Sequence, residues 1–238
     1  MIRRLGLIAA IPAAVASVLL LAGQAQAAVI WTGDASTGAS VFGNSNCDRP
    51  GSVTVVTDAS QGKVWRFNKP AGDLRCEVHG IAVKGKRYAF ANNGTYYFSW
   101  SMNLSNLTDN NANFQWKSYG SHFTQNFPIV IKMRGGRLTL MNRQPNKQTF
   151  YPWAATIKVN TWHHIVLGIH TSDVLKGGWV EIYFDGVQQR FTDGTTRWAA
   201  RTWDTTNEPK WGVYGAQRTA VVNLVSGLKM GTSLADVA

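Results

Sequence analysis

From Ser52 onward the chain is a series of short runs in which apolar and polar residues alternate. They fall at Ser52–Thr57, Val64–Phe67, Leu74–Val78, Tyr96–Leu104, Phe114–Ser118, Ile129–Arg134, Leu138–Asn142, His163–His170, Trp179–Phe184 and Trp211–Gln217. Alternate side chains of a strand share a face, so each run predicts a strand buried on one side. Gly, Asn, Asp or Pro separate most of them, and Arg134-Gly135-Gly136-Arg137 and Asp185-Gly186 predict hairpin turns. No stretch beyond residue 27 sustains a helical period; a short helical turn is placed within Asn103–Asn113. Many short strands in a chain of this size predict an all-β fold, a two-sheet antiparallel sandwich.

Three runs share one further property. In Leu74-Arg75-Cys76-Glu77-Val78-His79 the apolar residues point one way and Arg75, Glu77 and His79 the other. Phe114-Gln115-Trp116-Lys117 turns Gln115 and Lys117 away from the core, and Lys210-Trp211-Gly212-Val213-Tyr214 does the same with Lys210 and Tyr214. Gly212 is expected to leave room for a ligand beside Tyr214. If the three strands share a curved sheet, its open face displays Arg75, Glu77, His79, Gln115, Lys117, Lys210 and Tyr214. Lys132, Arg134 and Arg143 extend it as a basic rim. His163 and His164 are adjacent on a strand and face opposite ways, which disqualifies them as a metal pair.

Composition adds location and partner. Arg3 and Arg4, an apolar stretch to Ala22 and Ala25-Gln26-Ala27 have the form of a signal peptide, so cleavage is expected after Ala27. Residues 28–238 then form one domain, secreted and extracellular, with no membrane segment left. Loss of Arg3 and Arg4 takes the formal net charge from +11 to +9. A basic exported domain points to a polyanion, and export favours an acidic polysaccharide over nucleic acid. Cys47 and Cys76 are the only cysteines and are expected to form a disulfide, tying the loop before the Ser52 strand to the core side of the Leu74–Val78 strand.

Thr161-Trp162-His163-His164 followed by Gly178-Trp179-Val180-Glu181-Ile182-Tyr183-Phe184-Asp185-Gly186 resembles the outer hairpin of the concanavalin A-like lectin/glucanase jelly roll. Arg75-x-Glu77-x-His79, Gln115-x-Lys117 and Lys210-x-Gly212-x-Tyr214, in that order, resemble the concave-face motifs of jelly-roll polysaccharide lyases. The likeness is nearest to the heparin lyase I-like superfamily and, within it, polysaccharide lyase family 20, the glucuronan lyases. Family 7 alginate lyases are similar but carry Gln-Ile-His where this chain has Gln115-Trp116-Lys117.

The resemblance implies cleavage of a uronic-acid polymer by β-elimination, most simply β-1,4-glucuronan, with no cofactor needed for catalysis. Such a site must neutralise the uronate carboxylate, remove the C5 proton and protonate the departing O4. Gln115 and Arg75 are assigned to the carboxylate, His79 and Tyr214 to proton transfer, and Glu77 to orienting Arg75 or His79. Lys117, Lys132, Arg134, Arg143 and Lys210 are assigned to binding. If C5–H and O4 lie on one side of the ring, Tyr214 alone can carry the proton. If they lie on opposite sides, His79 serves as base and Tyr214 as acid; with β-1,4-glucuronan taken to be of this second kind, that arrangement is the expectation carried to the structure.

A retaining glycosidase needs two carboxylates flanking the bond, and only Glu77 is expected on this face. An alginate lyase and a non-catalytic, lectin-like module for acidic polysaccharides are the alternatives. Asp34 and Asp236 could supply oxygen ligands to a structural Ca²⁺. The expected state is a monomer.

Overall fold

A computed structural model describes residues 28–120 and 125–238. The expected signal peptide and its cleavage point lie outside the described residues. In chain order the strands are β1 (Trp31–Thr32), β2 (Phe42–Cys47), β3 (Ser52–Asp58), β4 (Gly62–Lys69), β5 (Arg75–Val83), β6 (Lys86–Arg87), β7 (Thr95–Leu104), β8 (Asn111–Ser118) and β9 (Ile129–Arg134). They continue as β10 (Arg137–Arg143), β11 (Thr149–Ala155), β12 (His163–His170), β13 (Gly178–Phe184), β14 (Val187–Gln188), β15 (Trp198–Ala200), β16 (Asn207–Gly215) and β17 (Val221–Gly231).

All pairings are antiparallel, and they build the two sheets of a jelly-roll sandwich. One runs β14-β13-β12-β7-β17-β4-β3, with β1 and β15 at its margins; the other runs β11-β10-β9-β8-β16-β5-β2, with β6 on β5. Between them lies an aromatic core. Trp100 stacks on Phe114 at 4.9 Å and Trp31 on Trp211 at 5.6 Å, while Phe98 and Trp116 fill the centre. Apart from Trp31 of β1, these residues are the apolar halves of the alternating runs, so the polar halves of β5, β8 and β16 are necessarily turned outward. Among the described residues no helix is long and apolar enough to cross a membrane.

The differences from expectation have local causes. Strand β17, the longest, was not anticipated. A bulge between Ser226 and Lys229, with Gly227 at φ 62°, breaks its alternation, so that Val225 and Leu228 are both buried. Strand β2 is a polar edge, and β11 contains Pro152, which an edge strand tolerates. The helical turn placed in Asn103–Asn113 is absent: β7 ends at Leu104 and β8 starts at Asn111. Leu74 precedes β5 and is only half-buried, whereas Cys76 and Val78 are core.

The disulfide joins Cys47 to Cys76, as expected, but Cys47 ends β2 instead of lying in a loop, and the bond links registered partners of one sheet. His163 and His164 do face apart. His163 stacks on Phe184 and meets Asp185 at 2.9 Å, and His164 reaches Ser99 at 2.9 Å.

Candidate active site

Register decides which outward side chains meet. Lys210 pairs with Gln115 of β8 on one side and with His79 of β5 on the other. Gly212 lies opposite Glu77, and Tyr214 opposite Arg75. Lys117 lies opposite Glu208. All seven side chains expected on the open face are therefore on it, with Glu208 as an eighth.

The floor is a buried polar cluster. Gln115 Nε2 donates to Glu77 Oε1 at 2.5 Å, and Lys210 Nζ lies 3.3 Å from Glu77 Oε2. Glu77, Gln115 and Lys210 are each buried. Burial pushes the Glu77 carboxyl up, against the pull of Lys210 and Gln115 toward the ionised form. Gln115 reaches Glu77 across β16, which carries no side chain on this face between Lys210 and Tyr214. Glu77 thus orients Gln115 and Lys210, not Arg75 or His79 as expected. Lys210, assigned to binding, is part of the floor, with its ammonium turned to Glu77.

Gly212 has a different task from the one expected. Its φ is 143°, it sits in a bulge opposite Phe114 and Ala112, and a Cβ there would stand 2.2 Å from the Cys76 carbonyl oxygen. The close approach of β16 to β5, more than space for a ligand, requires glycine.

Tyr214 and Gln115 line one cleft of about 240 Å³ together with Asn110, Phe127, Lys132 and Arg143. The Tyr214 ring rests on an apolar patch of Ala112, Val130 and Met141, and the Arg75 guanidinium lies 5.0 Å from its centroid. Rim cations are braced in the same manner: Arg134 covers the Tyr151 ring at 4.2 Å and Arg143 the Phe127 ring at 4.6 Å. Lys132 donates to Asn110 Oδ1 at 2.5 Å, and burial with neighbouring Arg134 pushes its pKa down.

His79 lines a second cavity, of about 500 Å³, with Arg87, Tyr88, Tyr119 and Glu208. It lies four positions along β5 from Arg75 and hence from Tyr214's row, about 13 Å along the strand. Its Nδ1 is 2.7 Å from Glu208 Oε1, and Arg87 donates to Glu208 Oε2 through Nε at 3.0 Å. Burial alone would raise the Glu208 carboxyl. The hydrogen bonds from His79, Arg87 and Tyr119 more than offset it and hold the pKa at about 2. Lys117 lies over the Tyr119 ring at 4.5 Å and donates to Ser118 O and Asn126; burial and Lys210 bring its pKa down to about 8.

Glu208 was missed because Pro209 discourages extending the Trp211 run toward its N-terminus, whereas β16 begins at Asn207. The face consequently bears two carboxylates. Glu208, two residues before Lys210, and Glu77, opposite Gly212, are four residues apart along the sheet. Each is occupied at both oxygens by Gln115 and Lys210 or by His79 and Arg87. Glu77 is a raised-pKa carboxyl, but with both carboxylates tied to neighbouring side chains neither is the free acid or nucleophile that a retaining glycosidase uses.

Asp34 and Asp236, weighed as Ca²⁺ ligands, serve as caps: Asp34 accepts from Ser36 N, and Asp236 from the backbone of Ala28, Thr232 and Ser233. Among the described residues no three His, Cys, Asp or Glu side chains gather as a metal site.

Comparison with known proteins speaks to the fold and the family. No curated protein matches the chain by sequence. Among solved structures, the alginate lyase AlgAT5 from polysaccharide lyase family 7 is similar over 79% of this chain and 85% of its own, at 12% identity and a TM-score of 0.55. The alginate lyase from Corynebacterium sp. is similar over 79% and 83%, at 14% identity and a TM-score of 0.54. A carbohydrate esterase from the Shiga toxin-encoding bacteriophage phi24B matches over 85% and 97%, at 14% identity and a TM-score of 0.57. At such identities the likeness concerns the fold, which evidently serves more than one activity. The family model described as polysaccharide lyase matches residues 30–225, and the chain therefore belongs to the polysaccharide lyase family.

Proposed function

We propose that the enzyme cleaves β-1,4-glucuronan by β-elimination in the Tyr214 cleft, as the resemblance to the family 20 glucuronan lyases implies. The observation that supports this reading most is that Tyr214 and Gln115 share one cationic cleft while His79 lines another. The opposite-side relation expected for glucuronan does not hold: in the glucuronate chair H4 and H5 are axial on opposite faces, so O4 lies on the same face as H5. One residue then suffices for both proton transfers, and Tyr214 replaces the His79–Tyr214 division of labour expected from the sequence.

The steps follow from what each group can do. Gln115, held by Glu77 through one amide hydrogen, offers the other to the uronate carboxylate. Lys132 and Arg143 supply positive charge that attracts the anion, while Gln115 and Arg75 meet the charge developing at C5. The Tyr214 oxygen, as phenolate, takes the C5 proton. The C5–H electrons form the C4–C5 double bond as the C4–O4 bond breaks, and the proton on Tyr214 passes to O4.

Mannuronate has the same relation of H5 to O4, and the family 7 neighbours are named for alginate, so an alginate lyase is the rival reading. The absence of a histidine at Lys117 favours glucuronan. Ultraviolet absorbance of the new conjugated double bond, followed on glucuronan, mannuronan, guluronan, heparin and hyaluronan, separates the two. Glucuronan is expected to give the highest kcat/KM. Preference for mannuronan would replace it with an alginate substrate, and binding without absorbance would indicate a lectin-like role.

A further inference from the structure

Lys69, the last residue of β4, is wholly buried, and among the described residues it pairs with no carboxylate at hydrogen-bond distance. Its ammonium instead faces four backbone carbonyl oxygens: Pro70 at 3.2 Å, Asp73 at 3.2 Å, Ala216 at 3.2 Å and Thr219 at 2.8 Å. Burial pushes its pKa down, with Asp73 opposing. An ammonium has three hydrogens, so four oxygens at these distances act as a cage around a cation. A buried charge of this kind is costly unless its surroundings compensate it.

The four carbonyls come from two loops, and both lead to the cleft. Pro70 and Asp73 belong to the connection that enters β5 at Arg75; Ala216 and Thr219 belong to the connection that leaves β16 after Tyr214. The loops are knit directly as well, by Gly72 N to Gln217 O at 2.7 Å and Gly215 N to Leu74 O at 2.9 Å. Ala216 holds φ at 44°, a conformation that costs a non-glycine residue free energy and turns its carbonyl toward Lys69. Arg75 and Tyr214 are the cation–ring pair of the cleft.

We propose that Lys69 is a positioning residue whose ammonium fills a cation site made of backbone carbonyls. By joining the loop before Arg75 to the loop after Tyr214, it holds the Tyr214 hydroxyl in register with the substrate. This rests on the reading of Tyr214 as the proton carrier. Lys69 touches no substrate, so its loss should be read in kcat and not in KM.

The test uses the full mature chain and glucuronan. Lys69→Met keeps the apolar stem and removes the charge. It should lower kcat by about 10–100-fold, the effect of a small displacement transmitted to a reacting group, with KM changed by less than about threefold. Lys69→Ala opens the cage, and added ammonium chloride should recover part of the lost kcat where sodium chloride at equal ionic strength does not. Lys69→Arg keeps the charge on a planar group too large for four converging carbonyls, and it too should lose kcat.

Wild-type kcat in Lys69→Met or Lys69→Arg overturns the proposal, as does a loss expressed mainly in KM. If Lys69→Ala and Lys69→Met do not fold, Lys69→Arg decides alone. Normal turnover in Tyr214→Phe removes the reading of Tyr214 and this inference with it. An inactive Tyr214→Phe beside an unimpaired Lys69→Met removes only this inference.

Discussion

Replacing Lys210 by Met tests the buried floor of the site. In the wild type Lys210 faces Glu77 at 3.3 Å with side-chain exposures of 6% and 2%, so neither charge has water to fall back on. Removing one partner of a buried pair leaves the other uncompensated and typically costs about 3–5 kcal/mol. For a domain of this size each kcal/mol lowers Tm by roughly 2–4 °C, which predicts a fall on the order of 10 °C.

The pH dependence has a definite sign. Without Lys210, burial raises the folded-state pKa of Glu77 still further above its unfolded value. The deficit should therefore be smallest below the unfolded pKa, where Glu77 is protonated in both states, and should grow as pH rises toward the folded value. Glu77→Gln combined with Lys210→Met removes both charges while leaving an amide oxygen for Gln115, and should recover much of the loss. Urea unfolding of the four proteins at neutral and acidic pH completes the cycle. A Lys210→Met deficit below about 1 kcal/mol, or strictly additive single effects, would refute a coupled buried pair.

Three further outcomes are expected. Replacing Cys47 and Cys76 by Ala frees a segment spanning a sequence separation of 29 and should cost about 3–4 kcal/mol in denaturant unfolding; no change would deny the bond a role in stability. Neutralising Lys132, Arg134 or Arg143 should raise KM more than it lowers kcat, and the difference from wild type should shrink as salt is added; salt-independent KM would count against the rim. Because the folded Glu208 pKa is depressed from 4.5 to about 2, the stability it contributes is present above its unfolded pKa and is lost as pH falls from that value through the folded one. Acid titration of wild type against Glu208→Gln should show that limb only in the wild type.

Much of the face could be read from parity alone. Arg75, Glu77, His79, Gln115, Lys117, Lys210 and Tyr214 alternate with residues that had to be core, so a sandwich could turn them only outward. What parity does not carry is distance along the strands and partnership across them. His79 and Tyr214 share a face yet line different cavities, because register places His79 beside Lys210 and Tyr214 beside Arg75. Glu77 acquired Gln115 and Lys210 as partners for the same reason. Bulges hid the rest. One in β17 broke the alternation of the longest strand, and the one at Gly212 gave that glycine a backbone task that resembles a ligand gap in sequence. Lys69, at the end of an alternating strand, looks like any surface lysine until the two loops fold over it.

Tyr214→Phe measures the role of the tyrosine most directly, since it deletes the hydroxyl and keeps the ring packed on Ala112, Val130 and Met141 beside Arg75. General acid–base groups contribute about 10²–10⁴-fold. On glucuronan the variant should lose at least about a hundredfold in kcat and still bind polymer with near-native affinity, while His79→Ala retains measurable elimination. Near-normal kcat in Tyr214→Phe would contradict the account.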